Sequence, residues 1–495
     1  VTEVELKFDL APSRRAAFRR LAALSGAKPV EKRLLALYFD TPGEEVARHE
    51  MALRLRRSND EWVQGLKSGA SGAGGLHARE EWEFKRSSAS IDLSLFADTP
   101  LAKLPHRRRL HERLGEVFRV DMRRTTWEVE LAPGSRVEVA LDHGEVRRGK
   151  ASERVCEVEI ECLEGETAAM FDFATQLLDK VAMRPSTVTK ARRGYRLLRG
   201  EKPEVVKAKA AEFRAGMSPL EAARAALGEE LQALQGNEEG ALADVDPEYV
   251  HEMRTGLRRM RSTLRVFRPV LGRGLEDSMR EEIRWLAKVM GEARDWDVLA
   301  TQTLPAVLQA RGESPAGDAL AAAADAQREA KRAALRAALR SPRYARFILA
   351  LARWLAHPAG AAEGGRLVDL ASHALHQRSR RFIASAQRLS QHDPAQRHLL
   401  RIEAKRMRYA VDGFAALFPG KRVRAFLDPL KDLQRALGDA NDAAVAARLL
   451  ETFEVAADLR EFARGWLEAS IERSTADLRR DLERVCEARR FWRKR

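Results

Sequence analysis

Apolar and polar positions alternate with a period of two through the first 200 residues and recur at helical spacing through the remainder. In the opening stretch Val4, Leu6 and Phe8 fall on one face of a strand, and Glu3, Glu5 and Lys7 fall on the other. The same period returns at Leu35–Asp40, which ends at a Thr41-Pro42 turn. It returns again at Met51–Arg56, where Leu53 and Leu55 oppose Arg54 and Arg56, and at Trp62–Lys67. In Arg79–Lys85, Arg79, Glu81 and Glu83 oppose Glu80, Trp82 and Phe84. Three more strands are predicted at Arg124–Leu131, Ser135–His143 and Val155–Leu163. Helical spacing marks Ser13–Leu24, Thr167–Ala182 and an insertion at Leu93–Leu114. The glycine-rich Ser68–Gly75 is too poor in side chains to pack and reads as a mobile hairpin connection. About eight strands with few helices predict an α+β half built on an antiparallel barrel.

A single charged strand face usually points at water. Here the faces carry both signs, basic at Arg54 and Arg56, acidic at Glu138 and Asp142 and again at Glu157 and Glu159. Such a set suits a barrel whose interior is polar and holds a metal and an anion together.

From Ser218 the pattern changes. Ser218-Pro-Leu-Glu221 is a capping box with Pro at the first helical position, and the chain beyond it carries Ala, Leu, Arg and Glu at helical period with no strand signal. Glu201–Gly216 is charged, lacks an apolar stripe and reads as a linker. The expected organisation is therefore a barrel domain at 1–200, a linker at 201–217 and an all-α domain at 218–495. The all-α domain contains a duplication. Asp246-Pro247 opens a helix carrying His251, Arg254, Arg258 and Arg261, and Asp393-Pro394 opens one carrying His398, Arg401, Lys405 and Arg408. Each pair is 147 residues apart, as are Gly291-x-x-Arg294-Asp295 and Gly438-x-x-Asn441-Asp442. Two related helical halves, about 218–364 and 365–495, are predicted to pack about a pseudo-twofold axis.

Steps of three and four align each histidine with three cations along one helical stripe. Like charges so placed repel, so the stripe calls for an anion or an acidic neighbour. Arg259, Arg265, Arg268, Arg397 and Arg406 add to the charge. The companions of His251 and His398 are cations, which favours anion donors or structural hydrogen-bonders over metal ligands. Asp295 and Asp442 are expected to orient the basic residues.

Composition narrows the partners. The chain has 88 Lys and Arg against 73 Asp and Glu over 495 residues, a formal charge of +15 that favours polyanions. Cys156, Cys162 and Cys486 form no CxxC pair, which fits a reducing cytoplasm and argues against a cysteine metal site. Charges such as Arg353 interrupt every long apolar run, and the sequence opens on a charged strand without a leader, so no membrane is expected.

Glu3-x-Glu5-x-Lys7, Leu53-Arg54-Leu55-Arg56, Lys67, Glu157-x-Glu159 and Lys190, in that order, resemble the CYTH family of triphosphate tunnel metalloenzymes. The resemblance covers roughly residues 1–200. It implies hydrolysis of a triphosphate with Mg²⁺ or Mn²⁺. Substrate oxygens would be bound by Arg54, Arg56, Lys67, Arg79, Arg124 and Lys190, since guanidinium forks and ammonium groups match phosphate oxygens. The metal would be held by Glu3, Glu5, Asp142, Glu157 and Glu159, because hard divalent ions prefer carboxylates, with Glu138 and Glu161 behind them. Glu3, Glu5 and Lys7 form the catalytic set, Lys7 binding the terminal phosphate or orienting water. His49, His77 and His143 read as surface or loop residues, and Trp62, Trp82 and Trp127 as packing on the outer face. That leaves no aromatic pocket for a base and favours inorganic triphosphate.

The repeated His/Arg stripe resembles the CHAD domain over about 218–495. This implies polyphosphate binding through His251, Arg254, Arg258, Arg261, His398, Arg401, Lys405 and Arg408. The expected protein is a cytoplasmic inorganic triphosphatase with a polyphosphate-binding module, placed at polyphosphate granules. The rivals are a non-catalytic polyphosphate or granule protein, a thiamine or nucleoside triphosphatase, and a nucleic-acid binder, the last disfavoured.

Overall fold

The computed structural model describes the chain except residues 1, 59–60, 70–71, 105–108, 215, 273, 359–361, 363, 391–392 and 493–495. The middle of the predicted Ser68–Gly75 loop and the end of the basic C-terminus thus lie outside the described residues. Two compact units emerge: residues 1–205 with 339–357, and residues 206–338 with 358–495.

In the first unit the strands are β1 (Thr2–Leu10), β2 (Val30–Asp40), β3 (Met51–Ser58), β4 (Glu61–Ser68), β5 (Leu76–Arg86), β6 (Gly115–Ala132), β7 (Ser135–Arg148), β8 (Ala151–Glu164) and β9 (Met183–Pro185). Their order is β5-β4-β3-β2-β6-β7-β8-β1, and β1 pairs back onto β5, closing an eight-stranded antiparallel barrel. The short β9 extends the same edge of β1 through Phe8–Leu10. Closure removes the exposed edges that an open sheet would present. The predicted barrel is therefore present. Strands β6 to β8 outrun their apolar alternation, because continuous ladder pairing carries them past the last alternating residue. The insertion after β5 is not one helix: it forms turns at Leu93–Phe96, Pro100–Lys103 and Leu110–Arg113, which bury Phe96, Leu101 and Leu110.

Period two fixes the faces. Leu6 and Phe8 point outward into a core with Trp127, Val139, Val158 and Ile160, capped by Phe171, Ala174 and Leu178 of the helix Thr167–Lys180. Glu3, Glu5 and Lys7 point inward. The helix Lys190–Arg199 is capped by Thr189, whose hydroxyl accepts from Arg192 N. It lies close against β6 because Gly194 has no Cβ; one built there would stand 2.2 Å from the Phe118 ring. Tyr195 then donates to the buried Asp40 at 2.7 Å, which fixes Lys190 at the tunnel end.

One helix from the 218–495 stretch, Pro342–Ala356, packs in this first unit. It buries Ala345, Leu349 and Ala352 in the outer barrel core. Gly74 lies against it at φ +74, where a Cβ would come within 2.1 Å of Ala352 Cβ. The neighbouring Gly75 carbonyl accepts from Lys7 N at 2.9 Å, so the backbone under this helix is the backbone that holds β1.

The second unit is helical. Among its elements are Pro219–Gly236, with the predicted Ser218/Glu221 capping box, and Pro247–Val266, Leu275–Val298, Pro394–Phe414 and Gly420–Leu450. Both duplicated helices begin on an aspartate cap, Asp246 accepting from Glu248 N and Asp393 from Ala395 N. The described residues of 201–217 lack regular structure, yet they are docked from Val206 onward. Val206 exchanges two hydrogen bonds with Asn237, Ala208 N donates to Glu252, and Phe213 is buried between Phe267 and Phe414. No helix among the described residues is long and apolar enough to cross a membrane.

Candidate functional site

The barrel encloses a cavity of about 380 Å³. Of the residues assigned from the sequence, Glu3, Glu5, Lys7, Arg54, Arg56, Lys67, Arg79, Arg124, Asp142, Glu159 and Lys190 line it, as do Glu138 and Glu161. Glu157 stands behind the lining with no exposed surface. The register explains the convergence: Lys7 opposes Glu159, Arg124 opposes Asp142, and Glu3 opposes Arg79 on neighbouring inward faces.

Two clusters form. In the first, Asp142, Glu157 and Glu159 are all buried, and one carboxylate oxygen from each lies within 4.8 Å of the others. Lys7 reaches Glu157 at 3.2 Å and also binds Glu159. Lys190 binds all three carboxylates, and Arg124 grips Asp142 bidentately at 2.7 and 2.6 Å while also meeting Glu159. Burial works against the charge on Lys7, but Glu157 and Glu159 outweigh it and hold the amine above the ordinary lysine range. Burial likewise opposes ionisation of Glu159, and Lys190, Lys7 and Arg124 overcome it, keeping the carboxyl well below its usual value. Lys7 is thus a fixed cation and unsuited to act as a base.

The second cluster is Glu3, Glu5, Glu138 and Glu161, with Lys67 and Arg79 beside it. Lys67 pairs with Glu3, and Arg79 lies 3.7 Å from Glu5. Burial first, then Glu3 and Glu138, push the Glu161 carboxyl up to about 7. Mutual repulsion of this kind marks a site short of positive charge. The five carboxylates assigned to metal from the sequence therefore divide between the two clusters.

Strand parity also brings in residues not assigned from the sequence. Glu81 and Glu83 share the inward face of Arg79. Arg54 donates to both, at 2.8 and 3.0 Å, and Arg56 donates to Glu83 at 2.9 Å. Lys32 and Tyr38 line the cavity as well. The expectation for His77 is overturned: it is 1% exposed, donates to Ser186 O at 3.0 Å and accepts from Arg79 at 2.6 Å. It sits opposite Glu5 in the β1–β5 ladder, where burial and then Lys7 and Arg79 depress its basicity to about 4.

The helical unit has its own cavity, of about 440 Å³. Six of the eight stripe residues line it: His251, Arg254, Arg258, His398, Arg401 and Lys405. Arg261 and Arg408 do not. Arg261 has Arg265 and Arg406 as charged neighbours, and Arg408 is engaged by Gln434 and Asp412. Arg294, Arg397 and Arg448 join the lining. Arg294 belongs to the duplicated segment Gly291-x-x-Arg294-Asp295, whose second copy has Asn441 in its place, whereas no spacing rule marks Arg448. Asp295 accepts from Arg254 at 3.4 Å, and Asn441 meets His398 at 3.3 Å. The Nε atoms of Arg258 and Arg401 are buried without a hydrogen-bond partner. Burial first, then Arg401, Arg258 and Arg254, lower the Lys405 amine to about 7.

Comparison with known proteins mirrors this division. Residues 2–195 match the CYTH domain family and residues 225–451 the CHAD domain family. The chain carries a CYTH domain followed by a CHAD domain. Over 162 residues it is 31% identical to an inorganic triphosphatase of Haemophilus influenzae, covering 32% of this chain and 44% of that protein. The CYTH–CHAD chain thus spans less than half of that relative. An uncharacterised Mycobacterium tuberculosis protein is 26% identical over 491 residues, covering 92% of this chain and 89% of that one. The crystal structure of the CHAD domain from the plant Ricinus communis aligns with a TM-score of 0.52 and 34% identity, covering 59% of this chain and 98% of that domain.

Proposed function

We propose that the barrel hydrolyses inorganic triphosphate to diphosphate and phosphate with Mg²⁺ or Mn²⁺, and that the helical unit binds inorganic polyphosphate. The observation that carries the first half is the charge balance of the tunnel. Its described lining holds eight cations and eight carboxylates, with Glu157 behind them, so the charges nearly balance although every wall is charged. A triphosphate entering alone would replace favourable internal pairs with repulsion from the carboxylates. One entering with a divalent cation satisfies both sets. The carboxylate donors fit such an ion: Glu3, Glu5 and Glu161 would hold it from one cluster, and Asp142, Glu157 and Glu159 form the second acidic group able to hold one. Bound there, a divalent ion supplies charge neutralisation at the phosphoryl oxygens and acidifies a coordinated water.

The chain's own groups do the positioning. Arg54, Arg56, Lys67 and Arg79 on β3 to β5 present donors to one end of a phosphate chain, and Lys7, Arg124 and Lys190 present donors to the other. Lys7 remains protonated, so it binds and orients a terminal phosphate. Phosphoryl transfer depends mainly on such positioning and electrostatic stabilisation. Among the described residues the one aromatic side chain in the lining is Tyr38, which is buried and already stacked on Phe118, and this favours an inorganic substrate over a nucleotide or thiamine ester. The inorganic triphosphatase activity of the Haemophilus relative supports the same reading. In the helical pocket, two unpartnered guanidinium nitrogens and a depressed lysine are what an anion would correct.

The test is phosphate release from inorganic triphosphate, with ATP and thiamine triphosphate in parallel, each with and without Mg²⁺ or Mn²⁺. Metal-dependent release from inorganic triphosphate is expected. No release from any of the three, with polyphosphate still bound, would reduce the barrel to a phosphate-binding scaffold.

A further inference from the structure

A third cluster lies on the outer wall of the barrel. A groove of about 560 Å³ runs along the outward faces of β2, β6 and β7, walled by the short helix Arg15–Arg19. The ladder sets Arg33 directly opposite Arg123, and Arg123 directly opposite His143. Like charges across a sheet destabilise it unless something answers them. Arg33 is answered by Asp121 at 2.8 Å and Arg19 by Glu31. Arg15 and Arg123 have no ion-pair partner among the described residues, and His143 Nδ1 is buried with no hydrogen-bond partner. The sheet has thus assembled two guanidinium groups and an imidazole around a space with one carboxylate in its lining, Glu31, already engaged by Arg19.

We propose that this groove is a second phosphate-chain site, binding condensed inorganic phosphate, diphosphate or longer, through Arg15, Arg123 and His143. Guanidinium forks match phosphate oxygens, and the lining offers no Phe, Tyr or Trp on which a base could stack. Lys32 and Arg124 line both this groove and the tunnel cavity, so a chain held here lies next to the tunnel wall. The choice of a condensed phosphate rests on reading the tunnel as a triphosphate site; the demand for an anion does not.

The test uses the full chain with ¹³C-labelled histidine, in an Arg54→Ala, Arg254→Ala, Arg401→Ala background that weakens the other two sites. The His143 ring signal, assigned through His143→Gln, is followed during titration with diphosphate, triphosphate and sulfate at matched ionic strength. The expected result is a saturable shift with the condensed phosphates, weakened at least about tenfold by Arg15→Ala with Arg123→Ala. In the otherwise wild-type chain the same pair should leave turnover of triphosphate unchanged at saturation. No saturable shift, a shift indifferent to the two arginines, or an equal response to sulfate would overturn the proposal. Failure of the tunnel reading would show separately, as absent phosphate release from the wild-type chain.

Discussion

The tunnel and the helical pocket are both built from rows of basic side chains, yet they treat charge in opposite ways. In the tunnel Lys7, Arg54, Arg56, Lys67, Arg79, Arg124 and Lys190 are each paired with at least one carboxylate. Arg124 has Asp142 and Glu159, Arg54 has Glu81 and Glu83, and Lys190 has three partners. The described lining of the helical pocket has seven Lys and Arg side chains against two carboxylates, Asp295 and Asp442, and Lys405 is driven toward neutrality. A self-neutralised site resists a bare anion and accepts an anion accompanied by a metal. An uncompensated one accepts any polyanion that fits. The difference separates a site suited to chemistry from a site suited to retention.

The sharpest break of this comparison is to remove one tunnel cation or carboxylate. Arg54→Ala or Glu159→Gln should lower triphosphate turnover by at least about 100-fold, since transition-state electrostatics of this kind carry several kcal/mol. Polyphosphate affinity, measured by filter binding, should stay within about twofold. An equal loss of both would mean the two sites do not divide the work. Conversely, Arg254→Ala with Arg401→Ala should weaken polyphosphate binding by roughly 10- to 100-fold and flatten its salt dependence by about one phosphate contact per residue. Turnover of triphosphate should be untouched. Double-stranded DNA competing as well as polyphosphate at matched salt would instead make the pocket a nucleic-acid site.

How much of this was legible depended on whether charge followed a period. Period two placed Glu3, Glu5, Lys7, Arg54 and Arg56 inward, because a strand leaves its side chains only two directions. The same parity applies to Glu81 and Glu83, which line the cavity but fall outside the assigned set because an acidic residue beside Arg79 also reads as a solvated pair. His77 escapes the pattern for a different reason. Its burial comes from the barrel closing β1 onto β5, a contact between residues some 70 positions apart that no local pattern records. In the helical half, steps of three and four placed six of eight stripe residues in one pocket. Arg261 and Arg408 left it because a helix advances about 100° per residue, so a long stripe drifts off any one cavity. The docking of Phe213 and of the helix Pro342–Ala356 was not readable either. Both depend on apolar surfaces that exist only once the units have folded.

A subtler contrast concerns protons. Lys405 starts near 7 in the free pocket, against an ordinary lysine value of 10.5. A polyanion favours its charged form, so binding at pH 7–9 should take up a proton, and affinity should fall as pH rises through that window. Calorimetry in buffers of different ionisation enthalpy would measure the uptake. Lys405→Arg should abolish it while preserving binding, and uptake that persists in Lys405→Arg would assign the proton elsewhere. In the tunnel, where the lysines are held charged by carboxylates, Lys7 and Lys190 should contribute none.

The smallest effect tests whether an isolated carboxyl in the helical unit behaves unlike the paired ones of the tunnel. Glu230 is 5% exposed, accepts from Thr263 Oγ1 at 2.6 Å, and keeps its second oxygen buried without a partner. Burial pushes it up to about 8, with Thr263 and Arg259 opposing only in part. Between the unfolded carboxyl value near 4.5 and about 8, the folded chain therefore holds a proton that the unfolded chain has released. Its contribution to stability is full at low pH and is lost as pH rises through that window, at up to about 1.4 kcal/mol per pH unit. Glu230→Gln keeps the shape and removes the titration. Its chemical denaturation midpoint should exceed that of the wild type at pH 9 and approach it at pH 5. A wild-type midpoint that is flat over the same range would mean that Glu230 is ionised and answered by Arg259, and that the helical unit balances its buried charges as the tunnel does.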